Sequence, residues 1–245
     1  MEAYFLGIDI GTQGARAVVI DSRGNEIVSR EENFPLTEDS RQEQSPEQWW
    51  QTCLGILTNM FKNPLQGKLV GISVTSTSGT VIPLDQNNDP LHPAIMYSDK
   101  RSAKEGELCS ALAKENTQGY SGFNASSGLS KMLWFQNTYP EKAIRLHRWV
   151  HAADYITGKL SGVWGVTDHT NALKSGYDTA GEFWPDYLFD RIGLKKQWMP
   201  EVYPSGKVIG VLREELVSLF GLGNTPEVTV GITDGCASQI ASGAI

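Results

Sequence analysis

The chain has 245 residues, 40% hydrophobic, with 21 Lys and Arg against 28 Asp and Glu, a net charge of −7. That size suits one large domain or two small ones, and an acidic chain without a Lys/Arg block speaks against nucleic acid as a partner. No apolar run approaches the roughly 20 residues of a membrane span, and the N-terminus lacks a secretory pattern. Cys53, Cys109 and Cys236 are odd in number, far apart and in no CxxC or Cys/His spacing, so they read as reduced thiols of a cytosolic protein.

In chain order, Phe5–Ile10 and the run ending at Asp21 are β-branched segments flanking a turn, the pattern of two paired strands. A third strand is predicted over Gly24–Glu31, after the tight turn Asp21-Ser22-Arg23-Gly24, which completes an antiparallel meander. Asp9 interrupts an otherwise apolar run, where a carboxylate needs a partner or a cleft. Gly11 and Gly14 allow close backbone approach, and the N–H groups of such a turn can hold phosphate. By itself the pattern fits an ordinary hairpin equally well.

Phe34–Gln44 is polar and reads as a surface loop. Ser45-Pro46-Glu47-Gln48 is a helix start, with Ser45 as N-cap and Pro46 in the first turn. Trp49, Trp50, Cys53, Leu54, Leu57, Met60 and Phe61 follow at helical spacing and form a core face. Lys68–Thr75 is a buried strand with Thr80–Leu84 as its expected partner. The hydroxyl run between them, Ser73 to Thr80, is either a solvated turn or a hydroxyl-reading surface. Asp85–Pro90 is a turn. Ser98-Asp99-Lys100-Arg101 is expected to cap a helix running to about Glu115, and Asn116–Gly128 is a loop. Ser130 is a candidate cap for the next helix, and further helices are expected after Pro140 and over Val150–Leu160.

His169 beside Asp168 has the look of a metal pair, but no third ligand is spaced to complete it. A short helix is predicted over Glu182–Leu194, with Trp184-Pro185 at its start. Leu212, Leu216, Leu219 and Phe220 predict another, ended by Gly221. Glu227–Gly235 repeats the opening arrangement, a β-branched run and then a polar turn carrying Asp234, and Cys236–Ile245 reads as a helix start. The absence of GxxxxGK[ST] disfavours a P-loop kinase.

Several segments together resemble the FGGY family of carbohydrate kinases. They are Gly7-x-Asp9-x-Gly11-Thr12, Glu43-Gln44-Ser45-Pro46-Glu47-x-Trp49-Trp50, Tyr97-Ser98-Asp99-x-Arg101 (Tyr replacing the family's Trp), Asp154-Tyr155, Asp168-x-x-Asn171-Ala172 through Asp178, and Thr233-Asp234-Gly235. The resemblance implies an α/β, actin-like ATPase (ribonuclease H-like) fold, a mixed sheet with flanking helices. It also implies two domains, residues 1–245 being the N-terminal, sugar-binding one and the C-terminal ATP-binding domain lying outside the chain. The implied cofactors are ATP and Mg²⁺, in a cytoplasmic enzyme acting on a small sugar, with no nucleic acid or membrane partner and a homodimer among the expected assemblies.

By the same resemblance Asp234 is the catalytic base. Asp9 holds the metal, and Gly11, Thr12, Gln13 and Arg16 contact phosphate. Thr77, Ser78, Asp9 and Asp99 contact the sugar. An exposed strand residue for Arg16 and a capping ion pair for Asp99 are open alternatives. Glycerol-using relatives carry Arg-Glu at the positions of Thr77-Ser78 and xylulose-using ones Met-His; Thr77-Ser78 itself looks like the ribulose kinases of cyanobacterial and plant type. Two other classes stay open: a non-catalytic actin-like assembly protein, against which the retention of Asp9 and Asp234 argues, and an actin-like ATP hydrolase. The expected geometry puts the opening meander in one sheet with strands at about 68–75 and 227–232, and turns Asp9 and Asp234 toward one cleft.

Overall fold

The computed structural model describes residues 2–243. Its strands are β1 (Ala3–Ile10), β2 (Gly14–Asp21), β3 (Glu26–Asn33), β4 (Glu43–Gln44), β5 (Lys68–Ser76), β6 (Val81–Leu84), β7 (Ala94–Ile95), β8 (Arg148–His151), β9 (Val166–Asp168), β10 (Glu201–Tyr203), β11 (Val208–Val211), β12 (Glu227–Thr229) and β13 (Ile232–Thr233). Its helices are α1 (Pro46–Met60), α2 (Ala103–Asn116), α3 (Gly128–Thr138), α4 (Pro140–Ala143), α5 (Ala152–Ser161), α6 (His169–Leu173), α7 (Tyr187–Asp190), α8 (Glu214–Leu219) and α9 (Asp234–Ala241). The helical reading of Ala244 and Ile245 lies outside the described residues.

The opening residues meet the expectation of a meander. β1 pairs antiparallel with β2, and β2 with β3. β5 then joins the other edge of β1 in parallel, and β12 and β13 both join β5 in parallel. The sheet runs β11-β12-β5-β1-β2-β3 and is mixed. Strand periodicity decides its faces. Tyr4, Leu6, Ile8 and Ile10 of β1 are buried on one side, while Phe5, Gly7 and Asp9 point to the other. Against the buried side lies α1, with Trp49, Trp50, Cys53, Ile56, Leu57 and Met60 in the core. Its start is as predicted: the Ser45 hydroxyl accepts the Gln48 N–H at 3.2 Å, a cap that contributes about 1 kcal/mol.

The structure corrects four expectations. Residues 80–84 do not pair with β5. Gly79 has φ +81° and swings the chain off the sheet, so β6 enters a second sheet of order β4-β7-β6-β8. Every residue of β6 is buried because that sheet separates two cores: Ile82 and Leu84 face the α1 side, and Val81 faces a second core with Cys109, Met132, Phe135 and Trp149. Second, α2 begins at Ala103, not at Ser98, because the Asp99 carboxylate is engaged by Arg101. Third, Ser130 lies inside α3; Ser127 occupies the N-cap position, its hydroxyl accepting the Asn124 N–H. Fourth, the 34–44 segment is no simple surface loop, since Gln44 is buried and β4 pairs with β7.

Candidate active site

Three strand ends meet at one level. In the parallel pairings Ile10 lies beside Ser76, and Ser76 beside Thr233. The next residues along the chain are therefore Gly11, Thr77 and Asp234, emerging side by side at the carboxyl edge of the sheet. Open α/β sheets place their ligands at such an edge. One row back Asp9 lies beside Thr75, and the Thr75 hydroxyl donates to the Ile232 carbonyl at 2.8 Å.

The Gly11–Gly14 turn is held from both ends. Gly11 N–H donates to the Gly14 carbonyl at 3.0 Å, and Phe34 N–H to the Gln13 carbonyl at 2.8 Å. Gln44 donates to the Thr12 carbonyl at 2.9 Å and accepts the Trp49 indole N–H at 2.8 Å. The 43–50 segment noted for its family likeness therefore has a physical task, bracing the Thr12 turn against α1. Gly11 to Arg16, with Asn33, Arg41, Tyr97 and Ser98, lines a recess of about 520 Å³. Arg16 is exposed; its Nε lies 3.1 Å from Glu31 and its Nη1 3.9 Å from Asp9.

Asp9 lines a larger cleft of about 920 Å³ with Ser73, Thr75, Ile232 and Ala237. Its Oδ1 is buried without a hydrogen-bond partner. Burial pushes its carboxyl above the usual range; the Arg16 charge pulls it back and the Asp234 charge raises it again. The two carboxylates are thus close enough to repel, and the orphaned oxygen fits a cation at this position. Among the described residues no group of three or more His, Cys, Asp or Glu could cage a metal by itself. That donor set suits Mg²⁺, which keeps waters and takes one or two protein carboxylates with phosphate oxygens.

Asp234 is exposed at the first turn of α9, its Oδ1 accepting the Gly235 N–H at 2.7 Å. The backbone before it is fixed by the Asp168 segment. Asp168 caps α6 and accepts the Thr170 hydroxyl proton, while Thr170 Oγ1 accepts the Thr233 N–H at 3.0 Å. Asp168 and Thr170 thus position the turn that carries Asp234, a role with no signal in sequence spacing. His169 instead lies 3.8 Å from Glu182 and packs edge-on against Tyr177. Gly231 lets the strand press on β5: a Cβ there would stand 2.0 Å from the Val74 carbonyl oxygen.

Most hydroxyls of the 76–80 run are engaged. Ser76 Oγ accepts the Ala153 N–H at 2.9 Å, Thr77 and Thr80 hydroxyls are 2.9 Å apart, and Thr80 Oγ1 accepts the Tyr97 N–H. The Ser78 hydroxyl has no protein partner among the described residues and is half-buried, so it is the hydroxyl of the run left for a ligand. A Cβ at Gly79 would meet the Ser126 carbonyl oxygen at 2.2 Å. We expect Gly79→Ala to lower stability by at least about 1 kcal/mol, read as a fall in Tm, because a left-handed φ and a backbone clash oppose it together. An unchanged Tm would contradict this placement of the loop.

The structure does not bring Asp99 into this arrangement as a free group. Its side chain is 1% exposed, and Arg101 Nε contacts both carboxylate oxygens. Arg101 also reaches Glu43 at 2.6 Å and lies over the Trp134 ring. That is the ion-pair alternative in the sequence.

Residues 4–241 match the N-terminal domain of the FGGY family of carbohydrate kinases, and the chain belongs to that family. It is 27% identical to the xylulose kinase of Lactococcus lactis over 99% of this chain and 50% of that protein. It is 26% identical to the gluconokinase of Bacillus subtilis over 100% of this chain and 49% of that protein. The crystal structure of gluconate kinase from Lactobacillus acidophilus superposes with TM-score 0.86 at 24% identity, covering 100% of this chain and 51% of that one. The fold is accordingly the α/β actin-like one expected, and the chain spans about half the length of the curated relatives it matches. No helix among the described residues is long and apolar enough to cross a membrane.

Proposed function

We propose that this chain is the acceptor-binding half of an ATP-dependent sugar kinase that phosphorylates a ketopentose hydroxyl, D-ribulose ahead of D-xylulose. The observation that carries the reading is the level alignment of the Gly11 turn, the Thr77-Ser78 loop and Asp234 at one sheet edge. Phosphoryl transfer needs a neutralised phosphate, an oriented hydroxyl and an acceptor for its proton, and these three segments supply candidates in that order. Asp234, accessible at a helix start, takes the proton of the sugar hydroxyl. Ser78, with Thr77 behind it, hydrogen-bonds the sugar, and Asp9 turns its free edge toward the same place. Thr12, Gln13 and Arg16 meet the transferred phosphate. Mg²⁺, held by Asp9 through water, would neutralise charge on the phosphates. Asp99 acts through Arg101 as a brace for the 97–101 wall.

The half of the relatives that this chain does not span would supply the adenine pocket, and closure of the two halves would exclude water. A cytoplasmic setting and a homodimer accord with this reading; light scattering tests the latter. The deciding experiment is a sugar panel with ATP and Mg²⁺ on the kinase containing both halves. We expect sugar-dependent ADP release with the highest kcat/KM for D-ribulose, and none from the 245 residues alone. A higher kcat/KM for D-xylulose, gluconate or glycerol would overturn the substrate assignment. Sugar-independent ADP release would mark a hydrolase.

A further inference from the structure

The start of β8 carries a cation that no charged group among the described residues balances. Arg148 is half-buried, and its Nε is sealed from solvent without a hydrogen-bond partner. No carboxylate lies within ion-pair distance of it among the described residues, and burial alone pulls its guanidinium below the usual arginine range. Gly165, at φ +77°, lies alongside its Nη1 end, which a Cβ placed there would meet at 3.6 Å. A buried arginine normally finds a carboxylate or a phosphate, because desolvating its charge is costly otherwise.

Arg148 lines a separate cleft of about 610 Å³ formed where β8, the 163–166 loop, β10 and the start of β11 meet. Lys207 and His147 line the same cleft and have no side-chain partners among the described residues. Among the described residues the carboxylate lining it is Glu201, which accepts the Tyr203 hydroxyl at 2.6 Å. Trp164 adds an apolar wall. The lining therefore carries a positive surplus beside a ring surface, in a space sized for a small metabolite.

We infer that this cleft is a second ligand site, which takes the oxyanion group of a small metabolite on Arg148 and Lys207. A planar guanidinium suits phosphate and carboxylate alike, so the shared chemistry is the oxyanion. The site is independent of the kinase reading above. It also sits close to it in the chain: β9 is three residues long and runs from the cleft at Val166 to Asp168, the residue that holds Thr170 against Thr233.

The test is calorimetry and amide NMR on the 245-residue chain with inorganic phosphate and, separately, citrate, at ionic strength matched with chloride. We expect saturable binding of at least one probe, with shifts centred on Gly165 and Val166. Phosphate alone would identify a phosphorylated ligand, citrate alone a carboxylate one. Arg148→Gln should weaken binding by roughly tenfold or more, as loss of a charge-assisted contact does, and Lys207→Gln by less. No saturable binding of either probe would overturn the inference, as would shifts confined to the Gly11–Gly14 turn or an affinity indifferent to Lys207→Gln and Arg148→Gln.

Discussion

Replacing Asp234 by Asn in the kinase containing both halves will lower kcat by about 10²–10⁴-fold, the range a positioned general base supplies. Sugar affinity will change little, because the base acts on the transition state more than on the bound ground state. The substitution keeps shape and the Gly235 N–H contact, since an amide oxygen can accept that bond as the carboxylate does. The loss will therefore not come from unfolding, which circular dichroism can check. Asp9→Asn is the informative partner: it removes one of two mutually repelling carboxylates and should raise the Mg²⁺ concentration needed for half-maximal turnover as well. Near-normal turnover in Asp234→Asn would remove Asp234 from the mechanism, whatever its place at the sheet edge.

The second large effect concerns stability. Lys131 lies fully buried in α3, its ammonium donating to the Ala125 carbonyl, and burial pulls its pKa down to about 7. Asp99 works against that shift and Lys174 adds to it. An unfolded lysine titrates near 10.4. Below pH 7 both states are charged and the fold carries the full penalty of a buried cation. Between about 7 and 10.4 the unfolded chain holds a proton the folded one has released, so this group's contribution to stability rises with pH. The span amounts to something on the order of 5 kcal/mol.

Two thiols oppose it. Burial pushes Cys53 and Cys109 up to about 12, so their contribution falls as pH rises past the usual thiol range. The measurement is therefore the difference between wild type and Lys131→Met in chemical denaturation from pH 6.5 to 10. We expect the variant to be the more stable at pH 6.5 and to lose that advantage as pH rises. A pH-independent difference would mean that Lys131 keeps its proton in the fold.

Much of this protein was legible in order along the chain. Strand and helix periodicity located the meander, α1 and the last strands, because each amphipathic element states which face it buries. Ser45 and Pro46 marked a helix start through local hydrogen bonding and a preset φ, and the structure agrees within a residue. The family likeness rested on short segments along the whole chain, strongest around Asp9 and Gly11, over Asp168–Asp178 and at Asp234, whose residue types can be read without knowing their partners. What the tertiary structure decided is everything that depends on partners distant in sequence. Thr80–Leu84 carried the right strand pattern but no statement of its sheet, and a left-handed Gly79 against Ser126 sent it to the second one. Asp99 read equally as a sugar contact or as half of a capping ion pair, and only the fold shows it held by Arg101, which also reaches Glu43. Gln44 and Thr170 lay in family-like segments and Gly231 in a strand pattern, but none of these stated a partner; in the fold they hold Thr12, Thr233 and Val74 in place. Pattern records what a residue prefers; only the parallel register of β1, β5 and β13 brings Gly11, Thr77 and Asp234 to one edge, because strand pairing is a long-range choice made by the whole core.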